Sequence, residues 1–315
     1  MAKRCAIVTG GNKGIGFECV RQLQAELPED FDVVLTSRSV DLGEASAAEL
    51  TAAAGASGGI VYHQCDIESE ESVEGLRSWA EAKYGGVDLL VNNAGFAFQG
   101  KSEDVPFSEQ ASTTVGINYF GTLRLTNALI PLLRPHARVV NVASMSGMGA
   151  LYGLDDEKLV RVRDPAMTEE QISAFMTEFI DAAAKGGVKS QGWPENSYGM
   201  SKLGVYAMTR LHAQHPHVVF HDVSVNSCCP GWCMSEMSAT IAANNDTSFA
   251  KSAAQGADTV CWIATLPRAG GGSPDEPPSG AFVRPRQLIT DGGPQERWEE
   301  WTFMSVSTYS SLPEL

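Results

Sequence analysis

The chain has 315 residues, of which 43% are hydrophobic and 19% charged, and its formal net charge at pH 7 is −15. A chain of this length can bury a substantial core in one large domain or two small ones. The negative charge argues against nucleic acid or an anionic membrane surface as a partner, because like charges repel. It leaves room for one anionic cofactor held by a local pair of cations.

Seven cysteines are spread along the chain without the C-x-x-C spacing of a metal site, so we expect no metal. The adjacent Cys228 and Cys229 have poor geometry for a disulfide, which favours reduced thiols that pack in the core. No secretory signal is evident at the N-terminus, and no apolar run approaches the length of a membrane span. We therefore predict a cytoplasmic protein.

The first predicted strand, Cys5–Val8, runs into the glycine-rich stretch Thr9–Gly16, and apolar residues at helical spacing follow. Gly10 permits a tight turn, Gly14 lets the backbone approach a pyrophosphate, and Gly16 lets the helix pack against the strand. The N–H groups and positive dipole end of the helix would face the phosphates. The spacing G-x-x-x-G-x-G is a variant of the dinucleotide-binding fingerprint.

Strand-like and helix-like segments alternate through the first half of the chain. This alternation predicts right-handed crossovers and a Rossmann-like, doubly wound parallel sheet, with its ligand beyond the carboxyl ends of the strands. Polar residues directly follow several of these strands, at the same edge of the sheet, so we expect them to form one shared site. The further predicted strands are 32–36, 60–64, 87–91 and 138–142, and the predicted helices are 42–54, 73–84 and 107–133.

Residues 147–196 break this rhythm, and we interpret them as an inserted helical subdomain beside the site, with its main helix over 168–185. Residues 1–290 are predicted to form a single α/β domain that contains this insertion, and residues 291–315 form a C-terminal extension. The remaining predicted elements are a helix over 197–212, a sixth strand over 218–227, a helix over 250–266 and a short strand over 281–283.

Tyr198 and Lys202 are four residues apart on a predicted helix, so they share one face. A neighbouring ammonium favours the phenolate of a tyrosine, and Ser144, at a strand end, could bind a carbonyl oxygen held by that tyrosine. Taken alone, a Y-x-x-x-K pair is more often a surface pair. Its combination with this serine and a nucleotide-binding turn indicates an active site.

These features together resemble the short-chain dehydrogenase/reductase family in order and spacing, over residues 3–290. Within that family the chain resembles the monomeric NADPH-dependent carbonyl reductases. The family resemblance rests on TGGNKGIG, Asp66, NNAG at 92–95, Asn118, Ser144, YGMSK at 198–202 and Pro230-Gly231. The closer one rests on GGNKGIG, NNAGFAF, the long insertion before Tyr198, QGWP at 191–194 and CCPGW at 228–232.

The resemblance implies a role for each residue of the expected active site. Tyr198 would be the general acid that protonates a carbonyl oxygen, and Ser144 would orient the substrate carbonyl. Lys202 would bind the nicotinamide ribose and lower the pKa of Tyr198. Asn118 would anchor a water-linked proton relay, or bend its helix, and the two roles are compatible.

The resemblance also implies a set of cofactor contacts. Asp66, with Ile67 beside it, would contact the adenine, and Trp232 would form part of an apolar substrate wall or pack in the core. Ser235 stands where the family often has a threonine that contacts the nicotinamide. A structural role is as acceptable as a binding role for Asn93. The other expected cofactor contacts are Gly10, Asn12, Lys13, Gly14, Ile15, Gly16, Asn92, Ala94, Gly95, Tyr198, Lys202, Pro230 and Gly231.

The choice of cofactor can be argued from charge. NAD-dependent enzymes commonly place a carboxylate after the second strand, where it accepts a hydrogen bond from the ribose 2′-OH. Here Ser37 and Arg38 follow that strand, and Lys13 lies in the glycine turn. Two cations suit a 2′-phosphate, so we predict NADPH, although Asp41 lies only three residues further on.

The resulting hypothesis is an NADPH-dependent reductase of small aldehydes, ketones or quinones. A catalytically silent NADPH-binding sensor on the same fold is the alternative, and alcohol oxidation with NAD is disfavoured by Lys13 and Arg38. In oligomeric relatives the helix that carries the tyrosine and lysine packs against its counterpart, so an insertion that covers this helix predicts a monomer. Cys229 could be a reactive thiol, but burial is the simpler expectation.

Overall fold

Seven parallel strands form one sheet in the order β3-β2-β1-β4-β5-β6-β7, which confirms the predicted doubly wound fold. The structure is a computed structural model that describes residues 3–54, 59–98, 104–234, 250–266 and 279–283. The predicted C-terminal extension and Ser235 lie outside these residues. The strands are β1 (Arg4–Val8), β2 (Phe31–Ser37), β3 (Ile60–Gln64), β4 (Val87–Asn92), β5 (Leu133–Val142), β6 (Ser224–Cys228) and β7 (Phe282–Val283).

Helices cover both faces of the sheet, which explains why the central strands read as continuous apolar runs. In β1, Cys5 and Ile7 pack with one set of helices, and Ala6 and Val8 pack with the other. The helices described are α1 (Gly14–Glu26), α2 (Val40–Ala54), α3 (Glu70–Tyr84), α4 (Phe107–Val115), α5 (Thr122–Leu129), α6 (Met145–Tyr152), α7 (Asp156–Arg163), α8 (Glu169–Lys185), α9 (Ser197–Ala213), α10 (Pro216–Phe220) and α11 (Ala253–Thr265).

The prediction of a single helix over 107–133 was wrong. The segment contains α4, a π-helical turn over Gly116–Gly121, α5 and a 3₁₀ turn over Ile130–Leu132. β5 then begins at Leu133, five residues earlier than predicted, since we had placed its start at Arg138. The helical apolar pattern continues through these changes, because α4 buries one side against other helices and α5 buries one side against the sheet, and so the period alone could not locate them.

The prediction of a strand over 218–227 was also wrong in its first part. Pro216 begins the short helix α10, and the side chain of His215 accepts a hydrogen bond from the backbone N–H of His217. Asp222, with a φ of 51°, then turns the chain into β6. The β-branched pair Val218–Val219 suggested a strand, but a proline at the first helical position and this left-handed turn favour the short helix.

The insertion over 147–196 folds as helices against the main domain. The main helix α8 begins at a capping box, in which the side chains of Thr168 and Gln171 each bind the backbone N–H of the other. Its apolar side chains are directed into the chain's own core. Ile172, Phe175, Met176 and Phe179 are buried, and Ile180 is partly buried against the same cluster.

The helix α9, which carries Tyr198 and Lys202, is enclosed by the rest of the chain. Every residue from Met200 to Thr209 is buried, so no face of this segment is exposed. A Cβ atom built on Gly204 would lie 2.8 Å from the ring of Tyr119 and 3.1 Å from Sδ of Met176. The insertion therefore supplies part of the cover of α9. Among the described helices, none combines the length and the apolar character needed to cross a membrane.

We expect the protein to run as a monomer at micromolar concentration, because the apolar stripe of α8 is already buried and α9 has no free face for a partner. Light scattering of the purified protein across a range of concentrations would test this expectation. A stable dimer assembled through α9 would contradict it.

Candidate active site

The glycine turn after β1 has the conformation that its sequence predicts. Gly10 and Gly14 have φ values of 61° and 56°, which favour glycine. A Cβ atom on Gly16 would lie 2.3 Å from the carbonyl oxygen of Gly10, so only glycine allows α1 to approach the turn this closely. Lys13 is the N-cap of α1, and its side chain makes no capping hydrogen bond there. The first N–H groups of α1 can therefore bind an anion.

A cavity of about 340 Å³ opens at the carboxyl ends of the strands, beside this turn. Its volume lies within the usual range for small-molecule sites. Most of the residues predicted to contact the cofactor border it, and they come from the ends of β1 to β4. The bordering residues that were predicted are Gly10, Asn12, Lys13, Gly14, Ile15, Gly16, Arg38, Asp66, Ile67, Ala94 and Gly95.

Charged side chains of both signs border this cavity. Lys13, at the start of α1, and Arg38, directly after β2, are the cations that border it. The carboxylates of Asp66 and Glu68 follow β3. The glycine turn, the helix N-terminus and the two cations together fit the phosphates of a dinucleotide, because all of them favour negative charge.

Asn92 is not among the residues that border the cavity, and its predicted contact with the cofactor stays a prediction. It is buried at the end of β4, where its Nδ2 donates to Asn141 at 2.7 Å and to Thr126 at 2.9 Å. Asn93 instead borders the cavity, while its Nδ2 donates to the backbone oxygens of Thr9 and Gly10. In a strand, successive side chains point to opposite faces, and the sequence does not indicate which of two adjacent asparagines faces the ligand.

The structure brings Ser144, Tyr198 and Lys202 together. Ser144 is the N-cap of α6, and its hydroxyl is hydrogen-bonded to the hydroxyl of Tyr198. The Nζ atom of Lys202 donates to the carbonyl oxygen of Val142 at 2.8 Å and lies 5.7 Å from the ring centre of Tyr198. A Cβ atom on Gly95 would lie 3.5 Å from this Nζ atom. Because Gly95 borders the cavity, Lys202 lies next to that border, although none of the three side chains is itself among the residues that line the cavity.

Burial opposes charge on both titratable groups of this trio. It raises the pKa of Tyr198 to about 12, although the hydrogen bond from Ser144 acts in the opposite direction. It lowers the pKa of Lys202 to about 8, which still leaves this lysine mostly protonated at pH 7. Lys202 is not among the groups that shift the pKa of Tyr198, so the lowering that the resemblance implies stays a prediction.

Two glycines allow the helices α6 and α9 to cross closely. A Cβ atom on Gly147 would lie 2.9 Å from the backbone of Lys202 and Leu203. A Cβ atom on Gly199 would lie 2.7 Å from the carbonyl oxygen of Ser146. Since Ser144 begins α6 and Lys202 lies on α9, this crossing sets the distance between the serine and the tyrosine–lysine pair.

Asn118 lies in the π-helical turn between α4 and α5, which agrees with its helix-bending role. Its side chain is buried and holds the loop after β4. Oδ1 accepts from the N–H of Phe96 at 2.7 Å, and Nδ2 donates to the carbonyl oxygen of Phe96 at 2.9 Å. This contact between Asn118 and the loop was not foreseen, because nothing in the sequence pairs these positions. The proton-relay role of Asn118 stays a prediction.

The segment after β6 turns at Gly231, which has a φ of 86°. The carbonyl oxygen of Trp232 accepts a hydrogen bond from the N–H of Lys251 at 2.9 Å. The contacts of Pro230, Gly231 and Trp232 with cofactor or substrate stay predictions. Burial raises the pKa of the Cys229 thiol, which favours the expectation of an inert, packed cysteine over a reactive one.

A doubly wound sheet with a phosphate-binding turn and a serine–tyrosine–lysine trio defines a dinucleotide-dependent oxidoreductase. A family model described as short chain dehydrogenase matches residues 4–154. The chain is 38% identical to "Carbonyl reductase [NADPH] 1" of Homo sapiens over 288 residues, which covers 90% of this chain and 96% of that protein. The protein belongs to the short-chain dehydrogenase/reductase family, as its motifs predict.

Solved structures agree with this assignment. The salutaridine reductase from Papaver somniferum aligns with a TM-score of 0.74 and 30% identity, over 89% of this chain and 99% of that one. The menthone neomenthol reductase from Mentha piperita aligns with a TM-score of 0.71 and 28% identity, over 90% of this chain and 99% of that one. The fold therefore extends over nearly the whole length of both reductases.

The helix crossing can be tested with two glycines of α6. Gly147→Ala should lower the free energy of unfolding by about 1–3 kcal/mol, because its methyl group would meet the α9 backbone. Gly149→Ala is the matched control, since Gly149 is exposed and a Cβ atom there meets nothing within 4 Å. It should raise stability by about 0.5–1 kcal/mol. Urea denaturation measures both values, and equal effects would contradict the close crossing.

Proposed function

We propose that the protein reduces carbonyl groups of small molecules, namely aldehydes, ketones or quinones, to the corresponding alcohols with NADPH. The observation that carries this proposal is the grouping of Ser144, Tyr198 and Lys202, with Lys202 next to Gly95 of the cavity that the glycine turn borders. The curated relatives named carbonyl reductase [NADPH] support the same substrate class and cofactor. The enzyme is accordingly placed among the NADPH-dependent oxidoreductases.

Each side chain of the trio has a part in this reaction. When bound, NADPH supplies the hydride for the carbonyl carbon. The Tyr198 hydroxyl donates its proton to the carbonyl oxygen, and its raised pKa keeps that proton in place until transfer. When substrate binds, the Ser144 hydroxyl turns its one hydrogen from Tyr198 to the same carbonyl oxygen and so orients it. The protonated Lys202 lies close enough to stabilise the phenolate that remains.

The preference for NADPH rests on Lys13 and Arg38. Both border the cavity, one in the glycine turn and one directly after β2. The β2 end is where a ribose 2′-phosphate is recognised in this kind of fold. Arg38 can bind such a phosphate with two parallel hydrogen bonds. We also propose a cytoplasmic location, which the seven free, buried thiols support.

Replacing Tyr198 by phenylalanine removes the proton donor and keeps the ring. We expect turnover of an aromatic aldehyde or a quinone to fall by about 10²–10⁴-fold, while the Kd for NADPH is retained. Tyr206→Phe, two turns further along the same helix and also buried, is the matched control and should keep its activity. The measurement is the loss of NADPH absorbance.

Near-full activity of Tyr198→Phe would remove this residue from the acid role. An unmodified protein that binds NADPH without consuming it, across a panel of carbonyl compounds, would favour the sensor alternative instead.

Replacing Arg38 by aspartate should shift the cofactor preference from NADPH towards NADH, because it removes a phosphate contact and adds repulsion. Lys189→Asp changes the net charge by the same amount at an exposed position in the insertion, and should leave the preference unchanged. The ratio of kcat/KM for the two cofactors is the measurement. A ratio near one in the unmodified enzyme would contradict the assignment of Lys13 and Arg38.

A further inference from the structure

A buried chain of hydrogen bonds connects the loop after β4 with the catalytic turn of α9. Besides holding Phe96, the Asn118 amide donates its second Nδ2 hydrogen to Oγ of Ser201 at 2.8 Å. The Ser201 hydroxyl in turn donates to the carbonyl oxygen of Tyr198 at 2.7 Å. Ser201 is fully buried, and Asn118 is 1% exposed.

From this chain we propose that Ser201 is a positioning residue for the reaction. A hydroxyl has one hydrogen, and Ser201 uses it on Tyr198, so its oxygen can only accept from Asn118. The Nδ2 group of Asn118 must therefore face Ser201, and Oδ1 must face the N–H of Phe96. Ser201 thus supports the same orientation of the Asn118 amide that the N–H and carbonyl oxygen of Phe96 require.

This orientation matters because the chain of hydrogen bonds connects the loop that borders the cavity with the residue proposed as the proton donor. Phe96 and the neighbouring Gly95 border the cofactor cavity, whereas Tyr198 provides the proton. The bond from Ser201 back to Tyr198 also lies within the helical turn between Tyr198 and Lys202, and such bonds bend a helix slightly. Ser201 therefore holds Tyr198 at a fixed position relative to the Phe96 loop, which borders the cavity. This inference rests on the proposed function.

Removal of the Ser201 hydroxyl would leave one N–H of Asn118 buried without an acceptor. The amide would then be held by the N–H and carbonyl oxygen of Phe96 alone, and the contact between Asn118 and the Phe96 loop would weaken. The phosphate-binding end of the cavity, with the glycine turn and Arg38, contains none of these bonds. The expected defect is therefore in turnover and in the Phe96 loop, with little change in cofactor binding.

Thr209 offers a matched control on the same helix. It is fully buried, its Oγ1 donates to the carbonyl oxygen of Val205 at 2.8 Å, and it accepts from Nδ2 of Asn141 at 2.8 Å. This arrangement repeats that of Ser201, a buried hydroxyl between an asparagine amide and its own helix. Thr209 lies two turns away from the catalytic turn and does not border the cavity.

The experiment compares Ser201→Ala with Thr209→Ala. We expect kcat of Ser201→Ala to fall by about tenfold to a hundredfold, the cost of a misplacement on the order of 1 Å. Its Kd for NADPH should stay nearly unchanged, and the amide hydrogen of Phe96 should exchange faster. Thr209→Ala should lose stability without either the fall in kcat or the faster exchange at Phe96.

Equal loss of kcat in both variants, or unchanged exchange at Phe96 in Ser201→Ala, would overturn the inference. Inactivity of the unmodified enzyme towards every carbonyl compound tested would count against the proposed function alone. The exchange of the Phe96 amide hydrogen, which needs no substrate, would still decide whether Ser201 orients Asn118.

Discussion

The close crossing of α6 and α9 is the contact on which the candidate site depends. Gly147 and Gly199 remove the side chains that would keep the two helices apart. The approach brings Ser144, at the start of α6, within hydrogen-bonding distance of Tyr198 on α9. Neither helix could supply this geometry alone, because the serine follows one strand and the tyrosine follows the insertion. The sheet fixes where α6 begins, and the insertion covers the outer side of α9.

The two parts of the candidate site differ in burial: the serine–tyrosine–lysine trio is largely buried, whereas the cations beside the glycine turn are exposed. In the trio it disfavours charge, which raises the pKa of Tyr198 and lowers that of Lys202, so the tyrosine keeps its proton and the lysine is only moderately basic. At the cofactor end Lys13 and Arg38 are exposed, and they can adjust to an incoming phosphate at little desolvation cost. The proposed function would therefore use a buried region for proton transfer and an exposed region for binding the phosphates, and a net charge of −15 does not prevent either.

Much of the fold and the main site residues could be predicted from the sequence, because glycine turns and polar residues at strand ends are local signals. The glycine turn, Arg38 and the trio lie where their motifs indicate. The predictions that failed, and the contacts that were missed, depend on features that the local pattern of apolar residues does not show. Asn92 ends β4 and bonds to Asn141 and Thr126, whereas Asn93 lies just beyond the strand and borders the cavity, and Val218–Val219 is helical because of Pro216 before it. The hydrogen bonds of Asn118 to Phe96 and Ser201 connect elements that are distant in the sequence, and no sequence motif indicates them.

Buried asparagine side chains connect separate elements of the fold through hydrogen bonds. Asn92 and Asn141 bind each other, and through Thr126 and Thr209 they tie β4 and β5 to α5 and α9. Asn118 makes the corresponding tie between the loop after β4 and the catalytic turn of α9. An amide can donate and accept at once, so it satisfies backbone and hydroxyl groups that an apolar residue would leave unpaired. Because both ties end on α9, they hold this helix in rotation as well as in distance, which fixes the position of Tyr198 relative to the loop after β4.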